Sequence, residues 1–129
     1  MSHAHLVQEW LEGWNGRRLD RVMAHYAEDA IFQSPTVLVR VPGSDGTIRG
    51  RAAIRELYEK SLAAFPALRF ELVDVIERPS GVMVLHRKHN VFTTHPGLTI
   101  ETFDTSGGLI VRNTVYWCTE EIAARFRPV

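Results

Sequence analysis

Glu101, His86 and Lys88 are the residues of this chain whose types and positions best suit proton transfer. Glu101 lies in the segment Ile100, Glu101, Thr102, Phe103. A carboxyl on such a strand is expected to titrate above its ordinary range if it faces a dry cavity, and to donate or shuttle a proton near neutral pH. Thr99, Glu101 and Phe103 share a face by the two-residue period, and only Phe103 is apolar, so a solvent-facing carboxylate is the competing reading. The stretch from Val82 to Thr94 puts Val82, Val84, His86, Lys88, Asn90 and Phe92 on one face, and Met83, Leu85, Arg87, His89, Val91 and Thr93 on the other. Neither face is cleanly apolar. Polar groups directed into a closed space need partners or a ligand, whereas on an outer face water satisfies them. A third place of interest is Gln33 and Ser34, the last side chains of a short strand that stops at Pro35.

Other chemistries find no support. The six histidines show no metal-ligand spacing: His86 and His89 point to opposite faces of a strand, and His3 and His5 lie near the N-terminus. Gly43 to Gly50 lacks the Lys-Ser/Thr ending of a phosphate loop, and no serine sits in a nucleophile elbow. No metal, nucleotide or other cofactor is expected. The single cysteine, Cys118, excludes an internal disulfide, suits a reducing compartment and reads as a small buried hydrophobe.

The 129 residues fit one domain with a single core. With 15 basic and 15 acidic residues there is no electrostatic footprint for nucleic acid. No apolar run approaches the roughly 20 residues of a membrane span. The N-terminus lacks the features of a secretory signal, and the expectation is a cytoplasmic protein.

The elements that must position these groups follow from periodicity. Leu6, Val7, Trp10, Leu11 and Trp14 mark a first amphipathic helix ending at Asn15 and Gly16. Leu19, Val22, Met23 and Tyr26 mark a second. Ala30 to Gln33 reads as a short strand ended by Pro35. Thr36 to Arg49 reads as a loop or hairpin with flanking strands at Val37 to Val41 and Thr47 to Ile48. Ala53, Ile54, Leu57, Tyr58, Leu62 and Phe65 mark a third helix, stopped by Pro66. Four strands follow: Leu68 to Glu77, Val82 to Thr94, Leu98 to Thr105 and Leu109 to Cys118, with turn residues at each break and successive antiparallel pairing as the simplest result. A last helical turn is expected at Glu120 to Phe126. Helices followed by a meander make an α+β arrangement whose curved sheet buries one face against the helices.

The run Trp10, Asn15, Leu19, Asp20, Tyr26, Ala27, Asp29, Ala30, Pro35, with Gly50, Ala53, Ile54, Phe65 and Pro66, resembles the nuclear transport factor 2-like superfamily, in its SnoaL-like polyketide cyclase and ketosteroid isomerase branch. The likeness spans about Val7 to Trp117. It implies three N-terminal helices packed on a strongly curved antiparallel sheet, a cone-shaped cystatin-like α+β barrel enclosing a pocket. The family hosts isomerases, cyclases, dehydratases and non-catalytic binding modules, so its motifs speak for fold more than for function. Position by position, the isomerase general base falls on Ser34, which cannot serve as a base unaided. One oxyanion donor falls on Trp10, and the second, a protonated acid, falls on Glu101. The resemblance also turns the face of His86, Lys88 and Asn90 inward; a slip of one residue would instead turn Arg87 and His89 inward. Asn113, Val115 and Trp117 would line the pocket, with Trp10, Trp14, Phe32, Tyr58 and Phe103 as aromatic walls or as plain core.

Two functions follow. In the first, a cofactor-independent enzyme moves a proton on a small hydrophobic carbonyl or polyketide-like compound. Glu101 is its acid or base, His86 or Lys88 tunes that group or polarises the substrate, and Asn90, Asn113, Ser34 and Gln33 orient the ligand. A dehydratase variant would use His86 as base. In the second, the cavity only binds an apolar ligand, or the sheet serves dimerisation. The implied partners are a small hydrophobic molecule and a second copy of the chain packed through the sheet.

Overall fold

The computed structural model describes residues 3–91 and 97–117, without the side chains of Val39 and Trp117. Cys118, the expected helical turn from Glu120 to Phe126, and the end of the strand expected to reach Thr94 lie outside the described residues. The elements in chain order are α1 (Ala4–Asn15), α2 (Leu19–Met23), β1 (Tyr26–Gln33), α3 (Pro35–Arg40), β2 (Thr47–Arg49), α4 (Arg51–Ala64), β3 (Arg69–Arg78), β4 (Gly81–His89), β5 (Gly97–Ser106) and β6 (Leu109–Trp117). One six-stranded sheet runs β2-β1-β6-β5-β4-β3. It is open, with β2 and β3 at its edges.

Three features correct the expectations from sequence. The sheet is mixed, because β1 lies parallel to β6 while the other neighbours are antiparallel. The second helix stops at Met23, and Tyr26 opens β1 opposite Ile110. Lastly, the expected strand Val37 to Val41 is instead α3, so four helices precede the meander. Ser34 is the N-cap of α3, its hydroxyl accepting from the Thr36 N–H at 3.3 Å, and Pro35 occupies the first turn. A proline there sacrifices an N–H that would have no helical partner anyway. The same proline that ends β1 therefore starts a helix.

Leu6, Val7, Trp10 and Trp14 form the buried stripe of α1. Trp10 stacks on Phe70 of β3 at a centroid distance of 5.3 Å and meets Phe103 of β5 edge-on at 5.2 Å. Asn15 fastens the end of α1 to the sheet margin: its amide donates to the Phe70 carbonyl at 2.9 Å and accepts from the Phe70 N–H at 2.8 Å. That pair of hydrogen bonds satisfies edge groups of β3 that would otherwise be open to strand pairing. At the β3–β4 turn, a Cβ added to Gly81 would fall 1.8 Å from the Phe103 carbonyl oxygen, so only glycine lets β4 close onto β5 there. Among the described residues no helix is long and apolar enough to cross a membrane.

Candidate functional site

Strand register brings the site residues together. His86 of β4 lies opposite Thr99 of β5, one diagonal step from Glu101. Asn113 of β6 lies opposite Phe103, again one diagonal step from Glu101. Diagonal neighbours on one face are within reach of long side chains. His86 Nε2 thus meets Glu101 Oε2 at 2.6 Å, and Asn113 Nδ2 donates to Glu101 Oε1 at 3.1 Å. Asn113 Oδ1 accepts from the hydroxyls of Tyr26 at 2.8 Å and Tyr58 at 3.1 Å, and the two hydroxyls lie 2.9 Å apart. These contacts settle the orientation of the amide: with its oxygen held by two phenols, it must present N–H to the carboxylate.

His86 and Asn113 are fully buried, and Glu101 is 4% exposed. Burial pushes the Glu101 carboxyl up. The hydrogen bond from His86, the positive charge that His86 and Lys88 can carry, and the hydrogen bond from Asn113 outweigh it, so the pKa lies below its ordinary 4.5. The raised pKa expected from an apolar setting is therefore corrected; the apolar walls are present, but three polar neighbours decide the sign. Burial also lowers the His86 pKa, opposed by Glu101 and reinforced by the charge of Lys88. We assign a neutral imidazole with its proton on Nε2, donated to an ionised Glu101. This tautomer suits His86 Nδ1, which is buried with no hydrogen-bond partner among the described residues.

Both depressed values act on stability in the same direction. A group whose pKa is lower folded than unfolded contributes fully above its unfolded pKa and loses that contribution as pH falls. The melting temperature is expected to decline first as pH drops below His86's ordinary 6.5 and again below Glu101's ordinary 4.5. His25, also lowered by burial, adds to the first step, so the informative comparison is with His86→Gln. That variant should show a shallower decline between neutrality and pH 5 in a thermal melt series. An unchanged slope would refute the neutral-histidine assignment.

Glu101 reaches a cavity of about 310 Å³ walled by Trp10, Trp14, Phe32, Tyr58 and Phe70, with Val115 on β6. Lys88 also lines it, with Nζ 5.7 Å from the centre of the Phe70 ring. Ser34 lines it too, already engaged as a helix cap and bonded to the Thr36 hydroxyl at 2.9 Å. Of the remaining expected residues, Phe103 is core behind Trp10, while His86 and Asn113 touch Glu101 rather than the cavity. His86 is accordingly placed to position Glu101.

Asn90 corrects the inward set. The even-numbered residues of β4 do turn inward, but Asn90 adopts a left-handed conformation with φ of 68° at the strand's end, and its exposed side chain donates to the Ala67 carbonyl at 2.7 Å. Gln33 is exposed as well and accepts from Arg112 at 3.3 Å, because adjacent residues of β1 face opposite ways. The side chain of Trp117 is outside the described residues. Conversely, the sequence reading missed Tyr26, assigned to a helix, and Arg40, assigned to a strand. The Ser34-Pro35 pair was the signal for α3 and thus for Arg40. Among the described residues no group of three or more His, Cys, Asp and Glu is arranged to hold a metal ion.

A model of the SnoaL-like domain matches residues 7–113. The chain belongs to the SnoaL-like domain family. No functionally curated protein matches its sequence. Among solved structures, this SnoaL-like chain is similar to a SnoaL-like protein of unknown function from Burkholderia thailandensis, at 22% identity over 92% of this chain and 99% of the other, with a TM-score of 0.81. It is also similar to TerC co-crystallised with polyporic acid, at 16% identity over 96% and 97% of the two chains with a TM-score of 0.78. A candidate polyketide cyclase from Sinorhizobium meliloti shares 15% identity over 87% and 94%, with a TM-score of 0.72. Further matches include NTF2-like and cystatin-fold proteins, in keeping with the α+β architecture.

Proposed function

We propose that this SnoaL-like protein is an enzyme that moves a proton on a flat, largely apolar carbonyl or polyketide-like molecule, in a reaction of the isomerase, cyclase or dehydratase type, using side chains alone. The observation that carries this reading is Glu101: an ionised carboxylate at the wall of an aromatic cavity, with each oxygen tethered by one buried donor. Each oxygen keeps lone-pair capacity for a substrate proton. The tethers hold the group in one orientation, as a general base requires. Glu101 would take the proton, Lys88 would stabilise the negative charge developing on the carbonyl oxygen, and the aromatic walls would hold the ring system flat. Neighbours of the same fold that are described as a candidate polyketide cyclase, or were co-crystallised with polyporic acid, support a ligand of this general shape.

The test is exchange of the α-protons of 2-tetralone and related cyclic ketones in deuterated buffer, followed by NMR. The wild-type protein should accelerate exchange above the buffer rate; no acceleration across such a panel would overturn the reading. A non-catalytic binding module is the second reading, favoured by Ser34, which stands where the resemblance places a base and is occupied as a helix cap.

We further propose a homodimer packed through the outer face of the sheet. There the register aligns Leu85, Ile100 and Tyr116 beside Ile76 and Met83, and Tyr116 and Ile76 are 51% and 45% exposed. Light scattering at micromolar concentration should return twice the chain mass, and a monomer would remove the dimer.

A further inference from the structure

His86 holds one oxygen of Glu101 through Nε2, while its other ring nitrogen, Nδ1, is buried without a partner among the described residues. Thr99 of β5 lies directly opposite His86, and its hydroxyl oxygen is likewise buried and unpartnered among those residues. Both side chains are 0% exposed. A polar group left unpaired in such a place costs free energy, and native folds seldom leave one so. The other atoms in this condition are the indole nitrogens of Trp10 and Trp14 and one nitrogen of Arg78. Those three can only donate. Nδ1 of the assigned tautomer can only accept and the Thr99 hydroxyl can donate, so His86 and Thr99 are complementary as well as adjacent. Trp10 also packs on the His86 ring, 5.6 Å between centres, but its N–H is near enough to the Tyr26 hydroxyl to favour the ionised form of that group.

We propose that Thr99 is a positioning residue for Glu101, its hydroxyl binding one internal water molecule that donates to His86 Nδ1. Directly opposed residues of an antiparallel pair have Cβ atoms roughly 4.5–5.5 Å apart, a gap that one water spans. A donor on Nδ1 keeps the imidazole proton on Nε2, where Glu101 needs it. It also draws electron density from the ring, which strengthens the bond from Nε2–H to the carboxylate. Phe70, 4.7 Å between ring centres, and Trp10 hold the plane of the imidazole. The charged groups that face His86 are Glu101 and Lys88, and α1 and β3 bring these uncharged rings against it. The inference deepens the reading of Glu101 given above: it rests on His86 holding the carboxylate, not on the carboxylate being the base.

Thr99→Val and Thr99→Ser in the full chain test the inference. In nitrogen-15 NMR of the histidine rings at neutral pH, Thr99→Val should move the His86 Nδ1 resonance downfield, as happens when an imidazole lone pair loses its donor. Thr99→Ser should keep the wild-type position. Chemical denaturation supplies a difference in sign. Removing a buried hydroxyl that serves nothing stabilises a fold, whereas removing one that serves Nδ1 leaves the nitrogen stranded, so Thr99→Val should lower the denaturant midpoint. In the exchange assay the acid limb of the pH profile should move to higher pH in Thr99→Val, in the same direction as in His86→Gln but by less. An unmoved Nδ1 resonance, or a midpoint unchanged or raised, would overturn the inference. So would a wild-type Nδ1 resonance at the position of a free lone pair, a check that needs no variant to fold. Wild-type protein that accelerates no exchange would count against the base alone and leave the resonance and the midpoint to decide the role of Thr99.

Discussion

Glu101→Gln is expected to lower catalysed α-proton exchange by roughly two to four orders of magnitude, the usual contribution of a positioned acid or base. Ligand affinity should change little. Glutamine keeps the volume of the side chain and can still accept one hydrogen bond, so the aromatic walls need not move. What it loses is the charge that takes up a proton. The pH profile provides a second readout. Because Glu101 is held below its ordinary 4.5, the wild-type rate should stay level with respect to this group through neutral pH and fall only on the acid side, as the carboxylate is protonated. In His86→Gln the acid limb should move to higher pH, since a hydrogen bond that favours the ionised form has been weakened. Exchange by Glu101→Gln at the wild-type rate would remove the carboxylate from the mechanism altogether.

Asn113→Leu should destabilise the fold by about 3 kcal/mol or more, measured by chemical denaturation. Asn113 joins four buried groups: it donates to Glu101 and to the Thr102 carbonyl, and accepts from both Tyr26 and Tyr58. Leucine fits the volume but offers no partner. One phenol can turn toward the other, which leaves a hydroxyl proton and a carboxylate oxygen unsatisfied. Each such group costs roughly 1–3 kcal/mol, more if charged. The pKa of both tyrosines is driven up chiefly by burial, so neither can relieve the loss by ionising. A destabilisation below about 1 kcal/mol would show that the network contributes little to stability.

The legible parts of this protein were those governed by repeating patterns. The stripe of Trp10 and Trp14, the helix carrying Tyr58 and the four strands after Pro66 follow from apolar spacing, and the inward turn of His86 and Lys88 follows from alternation once the face is chosen. Alternation failed at Asn90, where a single left-handed residue redirects the side chain and no periodic rule foretells it. It failed again at Tyr26, whose apolar ring continued a helical rhythm although its backbone is claimed by a parallel partner more than eighty residues away. The sign of the Glu101 pKa was out of reach for a related reason. Apolar neighbours in sequence argued for a raised value, but the deciding groups come from β4 and β6. Arg40 was hidden by reading Val37 to Val41 as a β-branched strand, when the Ser34-Pro35 cap makes that stretch helical.

The division of the cavity between sheet and α3 has a consequence for how such a protein diversifies. Glu101, His86 and Asn113 stand on three central strands whose register, network and packing depend on one another, so that half can change only with difficulty. Arg40 stands at the end of a six-residue helix that leads from β1 into the exposed turn before the edge strand β2, and its side chain is exposed, so a substitution there disturbs few neighbours. New ligand preferences can therefore be acquired by exchanging the cavity-lining residues of α3 while the reactive half is inherited unaltered, and a library randomised at Thr36 and Arg40 is the economical place to look for them.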